Sequence, residues 1–126
     1  MLYEIRINQV PISFNAWQSN HWAKNAKLKK EWIEELTAMA YMAKLPKCLA
    51  HMVISAEITF SQKRTRDTDN YASVFFKMTQ DGFVDSGYVL DDNPKYITMG
   101  EVHLNVDKNE IPHTLIKVEA TEGRVQ

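Results

Sequence analysis

A single cysteine, Cys48, excludes an internal disulfide, and the four histidines, His21, His51, His103 and His113, lack the close spacing of a zinc motif. The fold must therefore rest on an ordinary hydrophobic core. Glycine and proline are scarce, four of each, and no Gly-Xaa-Gly-Xaa-Xaa-Gly or Walker sequence occurs, which removes the commonest loops for small phosphates. No apolar run approaches the roughly 18 to 20 residues that a transmembrane helix needs. Met1 to Ile7 alternates like a strand and does not resemble a signal peptide, so a cytoplasmic protein without a membrane partner is expected. An excess of one charge is missing as well: 15 Lys and Arg stand against 16 Asp and Glu, a formal net charge of −1. That balance neither selects nor excludes nucleic acid, because it averages over a distribution that is far from uniform.

What is present is the composition of a folded domain, 44% hydrophobic and 25% charged over 126 residues. One domain spanning residues 1–126 is expected, with 121–126 as a flexible tail. Tyr3, Ile5 and Ile7 alternate with Leu2, Glu4 and Arg6 as a first strand. Pro11 to Asn15 reads as loop. Ser19 or Asn20 then caps a long helix running to about Lys44, with Leu28, Trp32, Leu36, Met39 and Ala43 as its buried stripe. Met52, Ile54, Ala56, Ile58 and Phe60 mark one face of a second strand. A second helix starts near Thr68 or Asp69, buries Tyr71, Val74, Phe75 and Met78, and ends or kinks at Gly82 before an Asp85-Ser86-Gly87 turn. Val102, Leu104 and Val106 alternate in a third strand and Ile116, Val118 and Ala120 in a fourth, joined as a terminal hairpin. The order β-α-β-α-β-β predicts an α+β fold, a mixed sheet covered by two main helices, rather than a doubly wound parallel sheet.

Four aspartates lie in two tight pairs, Arg66-Asp67-Thr68-Asp69-Asn70 and Leu90-Asp91-Asp92-Asn93-Pro94. Clustered carboxylates repel one another unless a positive charge sits between them, so a fold that gathers them points to a divalent cation. In an extended segment Asp67 and Asp69 point the same way, about 6 to 7 Å apart, and two or three carboxylates without histidine suit a hard ion such as Mg²⁺. One helix and a turn separate the second pair from the first, enough chain to bring it back beside the end of the second strand. Each motif alone has an ordinary structural explanation: Asp-Xaa-Asp-Asn caps a helix and Asp-Asp-Asn-Pro makes a turn. The setting shifts the balance, since Lys63, Arg64 and Arg66 stand directly before the first pair. A carboxylate-bound metal beside basic residues is the arrangement that handles phosphodiesters. Lys24, Lys27 and Lys30 on the long helix extend the cationic set for backbone phosphates. Lys77 shares a helical face with Asn70 and Asp81, where it either pairs with Asp81 or faces a scissile phosphate to stabilise charge or protonate the leaving oxygen.

The ordered series Arg66-Asp67-Thr68-Asp69-Asn70, Lys77, Asp81-Gly82 and Asp91-Asp92-Asn93-Pro94-Lys95-Tyr96, with Pro11-Xaa-Ser13-Xaa-Asn15 before it, resembles the RusA family of Holliday junction resolvases, particularly its phage and prophage versions. The resemblance spans most of the chain. It implies a Mg²⁺-dependent endodeoxyribonuclease, with Mn²⁺ as a substitute, that acts on four-way junction DNA as a homodimer in recombination and repair and uses no organic cofactor. By the same resemblance Asp67, Asp69 and Asp92 are metal-binding catalytic aspartates, Asp91 is a supporting neighbour and Lys77 is the catalytic lysine. Family members differ in where that lysine stands, and the position one helical turn earlier is Ser73 here. A two-fold dimer also suits the substrate on geometric grounds, because a junction has approximate two-fold symmetry and its resolution needs two matching nicks. Two other functions fit the residues: a non-catalytic module for branched or single-stranded DNA, and a metal hydrolase for small phosphate esters, which the missing phosphate loop disfavours.

Overall fold

In a computed structural model, which describes residues 1–123, the N-terminal alternation forms β1 (Leu2–Ile7), with Ile5 and Ile7 in the core and Glu4 and Arg6 exposed. The segment expected to be loop then holds a helix start. Ser13 is an N-cap whose hydroxyl accepts from Ala16 N at 3.1 Å, and it opens a short helix, α1 (Phe14–Ser19). The long helix α2 (Trp22–Met42) follows a break at Asn20 and is capped by His21, whose Nδ1 accepts from Ala23 N at 3.1 Å. Ser19 and Asn20 are engaged elsewhere, the first with Ala16 O and the second with Asn25 Oδ1. The element order is therefore β-α-α-β-α-β-β, one helix more than the periodicity reveals. The stripe of α2 buries Trp32, Leu36 and Ala40 fully, with Leu28, Met39 and Ala43 only partly covered. It also buries Asn25, whose amide donates to Trp17 O at 2.7 Å and so fastens α1 to α2.

Strand β2 (His51–Phe60) buries all five residues from Met52 to Phe60 that share its inner face. Helix α3 (Thr68–Asp85) leads to β3 (Ile97–Val106), which pairs with β2 in parallel from Met52↔Ile97 to Phe60↔Val106. Strand β4 (His113–Thr121) lies between β1 and β2, antiparallel to both, in the sheet order β1-β4-β2-β3. The mixed α+β sheet is as expected, whereas the terminal hairpin is absent because the partner of β3 is β2. A parallel pair requires a crossover connection, and α3 supplies it. Thr121, expected in the tail, closes β4, and residues 124–126 of that tail lie outside the described residues. No helix among the described residues is long and apolar enough to cross a membrane.

Packing of α3 on α2 completes the core. Tyr71, Val74, Phe75 and Met78 are buried, and the Trp32 indole N–H donates to the buried Thr79 hydroxyl at 3.1 Å while its ring meets Phe75 edge-on. Gly82 neither ends nor kinks α3, which runs on to Asp85. A Cβ there would stand 2.9 Å from Leu36 Cδ2 and 3.2 Å from Ile33 Cγ1, so its missing side chain is what lets the two helices approach. Gly87, at φ +80°, stops the helix in the left-handed conformation that glycine adopts without strain. Replacing Thr79 by Val leaves the Trp32 N–H without an acceptor in the core and should lower the unfolding free energy in urea by about 1–3 kcal/mol. Thr79→Ser, which keeps the hydroxyl, should lose less; equal losses for the two would show that the hydrogen bond contributes nothing.

Candidate active site

Where β2 ends at Phe60, the chain turns through residues 61–66 into α3. The Arg66 guanidinium lies 3.9 Å over the Phe60 ring and donates through Nη1 to Gln62 O at 3.0 Å, which shapes this approach. Asp67 is extended (φ −88°, ψ 122°) and is the N-cap of α3, its Oδ1 accepting from Asp69 N at 3.1 Å. Asp69 already sits in the first helical turn, so the expected extended Asp-Xaa-Asp geometry holds for Asp67 alone. Its carboxylate is exposed and makes no hydrogen bond or ion pair among the described residues. A negative charge at that place is favoured by the amide dipoles of the helix start. Asn70 Oδ1 accepts from Asn15 N at 3.2 Å, which joins the start of α1 to the start of α3 and brings Pro11–Asn15 and Asp67–Asn70 together.

Lys77 is exposed two turns along α3, with Ser73 exposed between it and Asn70. Asp81 is paired instead with Lys29 of α2, at 2.6 Å, so Lys77 has no ion-pair partner among the described residues. Helices α2 and α3 run in the same direction, as Trp32–Thr79, Leu36–Gly82 and Thr37–Ser86 contacts fix. The exposed Lys24, Lys27 and Lys30 at the start of α2 therefore point to the same end of the molecule as the start of α3, where Lys63 and Arg64 are also exposed.

The second acidic pair forms a self-bonded turn. Asp91 accepts from Asp92 N at 2.7 Å and from Asn93 Nδ2 at 3.2 Å, while Asn93 Oδ1 accepts from Lys95 N at 2.9 Å. Asp92 keeps an exposed carboxylate with no partner among the described residues. This turn leads into Tyr96, whose carbonyl accepts from Met52 N at 2.8 Å, so it lies beside the start of β2. The expected return beside the end of that strand does not occur. Parallel pairing obliges the chain to come back to the start, and the 18 residues of α3 span about 27 Å between the two acidic pairs. Among the described residues no group of three His, Cys, Asp or Glu is gathered as a metal-ligand set. By donor chemistry the unpartnered, hard oxygens of Asp69 and Asp92 suit Mg²⁺, yet one chain brings together only Asp67 and Asp69.

The capping explanation of Asp-Xaa-Asp-Asn holds, with Asp67 rather than Thr68 or Asp69 as the cap residue, and it takes one Asp67 oxygen. One feature escaped sequence reasoning, a cavity of about 520 Å³ between the 61–67 segment and β3, lined among others by Arg64, Arg66, Thr68, His103 and Asn105, for which no local signal exists because β3 is distant in sequence. At the opposite end of α3, burial raises the Tyr88 phenol above its ordinary value. Compared with known proteins, the chain matches no protein-family model and no curated sequence.

The cap can be separated from any ligand role. In metal-free buffer, Asp67→Ala should cost about 0.5–2 kcal/mol of stability and Asp67→Ser should recover most of it. Asp69→Asn removes only a charge–dipole interaction and should cost less than about 1 kcal/mol. A neutral Asp67→Ala in thermal unfolding would contradict the capping geometry.

Proposed function

We propose that this chain is a Mg²⁺-dependent, structure-selective endodeoxyribonuclease that resolves Holliday junctions by hydrolysing one phosphodiester at each of two symmetric positions. The observation that carries this reading is the shared surface at the start of α3. There Asp67 and Asp69 are flanked by Lys63, Arg64 and Arg66, with Lys77, unpaired among the described residues, two turns along the same helix. Asp67, Asp69 and Asp92 would hold the metal, which when bound polarises the phosphoryl oxygen and lowers the pKa of an attacking water. Lys77 donates a proton to the leaving oxygen or stabilises its charge. Lys63, Arg64 and Arg66, with Lys24, Lys27 and Lys30, hold backbone phosphates on either side.

The separation of the acidic pairs supports a homodimer as part of this reading. In a two-fold pair whose α3 helices run antiparallel, each Asp92 end would meet the Asp67 and Asp69 end of the second copy, which would complete two equivalent sites for two strands of like polarity. A single chain is then half of each site. The alternative, a non-catalytic module for branched or single-stranded DNA, draws support from the same structure, since Asp67 and Asp91 do serve as a cap and a turn.

The two readings separate on metal response and on cleavage. The nuclease should nick a synthetic mobile junction in Mg²⁺, and Mg²⁺ at about 100 times its dissociation constant should stabilise the fold by ~2.7 kcal/mol. Asp69→Asn should abolish both effects and leave junction binding largely intact. Asp69→Asn and Asp92→Asn, each inactive alone, should regain nicking of one strand when mixed, because one of the two sites in the mixed dimer is intact. Absence of recovery would confine the aspartates to one chain. Junction binding without cleavage or metal stabilisation would establish the binding module.

A further inference from the structure

Of the three tryptophans, Trp32 is buried in the core and Trp17 packs partly against it, whereas Trp22 is 75% exposed at the start of α2. Tryptophan is well buried on average in folded chains, so a ring left in solvent calls for a cause. Its mounting is rigid. His21, the residue before it, is fixed as the N-cap of α2, and its imidazole rests against the indole with ring centroids 5.4 Å apart. The elbow from α1 into α2 is held by the buried Asn25, which donates to Trp17 O at 2.7 Å and accepts from Asn20 Nδ2 at 3.1 Å. Helix faces then say where the ring stands. Trp22 precedes Lys29 by seven residues and shares its face of α2, the face from which Lys29 reaches Asp81. On α3, Asn70, Ser73 and Lys77 share a face with that same Asp81. Counting back ten residues from the Trp32–Thr79 hydrogen bond, or seven from the Lys29–Asp81 pair, sets Trp22 level with α3 between Asp69 and Val74. Trp22 and Lys77 thus flank one outer furrow between helices that run the same way, bridged at its far end by Lys29 and Asp81. Lys24 and Lys27, exposed and without ion-pair partners among the described residues, follow the ring on α2. An aromatic face set among cations along a groove suits single-stranded nucleic acid, whose bases stack while its phosphates meet the charges.

We infer that Trp22 stacks on a nucleobase left unstacked at the branch point of the DNA, a surface that a continuous duplex keeps covered, and so selects branched over linear DNA. This inference rests on the junction reading, and its test uses neither metal nor cleavage, so the two fail separately. In EDTA at fixed ionic strength, the full chain is titrated into a fluorescent four-way junction and into a linear duplex of the same arm sequence. Trp22→Ala should weaken junction binding by about 5- to 100-fold, the contribution of one stacked base, and duplex binding by less than about 2-fold. Trp22→Phe, which keeps a ring, should lose less. Lys24→Ala, a phosphate contact, should weaken binding of both DNAs by a similar factor. Thermal unfolding and sedimentation of Trp22→Ala should match those of the unaltered protein, since the position is exposed. Equal losses on junction and duplex, no loss on either, or no junction preference in the unaltered protein overturns the proposal. A smaller oligomer in Trp22→Ala would assign the ring to a contact between copies of this chain and overturn it too. Junction preference that depends on Trp22, in a protein that cleaves nothing in Mg²⁺, would remove the nuclease reading alone.

Discussion

The parallel ladder between β2 and β3 is the constraint on which the arrangement of this protein depends. Parallel neighbours cannot be joined by a tight turn, so the chain must travel back along the sheet before β3 begins. Helix α3 makes that journey, and its start and finish define two chemically different ends of the molecule. At one end are the Asp67 cap, Asp69, the basic 61–66 segment and the start of α1; at the other is the Asp91-Asp92 turn, fastened to the first residues of β2. Helix α2 adopts the direction of α3 through Trp32, Leu36 and Thr37, which carries its lysines to the first end.

Within each acidic pair the two carboxylates have different work. Asp67 and Asp91 spend oxygens on nearby backbone amides and hold the local chain in shape, whereas Asp69 and Asp92 are left exposed and unbonded among the described residues. The neighbour that is consumed by the backbone thus fixes the position of the one that is presented. Such an arrangement limits the conformational entropy lost when a ligand is bound, because the segment bearing the presented carboxylate is already ordered.

Local pattern carried much of this into the sequence. The alternation of Met52 to Phe60 and the three- and four-residue steps from Tyr71 to Met78 reflect burial on one face, and burial is what the periodicity of hydrophobic residues measures. The start of α1 was hidden because Pro11 to Asn15 has loop chemistry on paper, while the cap at Ser13 is accompanied by a contact with α3, through Asn15 and Asn70, that is distant in sequence. The partner of β3 was hidden for a different reason: an alternating strand next to another in sequence is equally compatible with a hairpin and with a crossover. That ambiguity is what placed the second acidic pair at the wrong end of β2 when read from sequence. The capping and turn chemistry of the two acidic motifs was legible, while their separation depended on a pairing that no local segment encodes.

Gly82 gives the surface chemistry an interior cause. The side chain it lacks lets α2 and α3 approach closely where Lys29 meets Asp81 across them. The density of charge that any polyanion encounters there is accordingly a matter of core volume as well as of charged residues. Selection acting on a single buried position could widen or narrow the electrostatic footprint without altering one ionisable group.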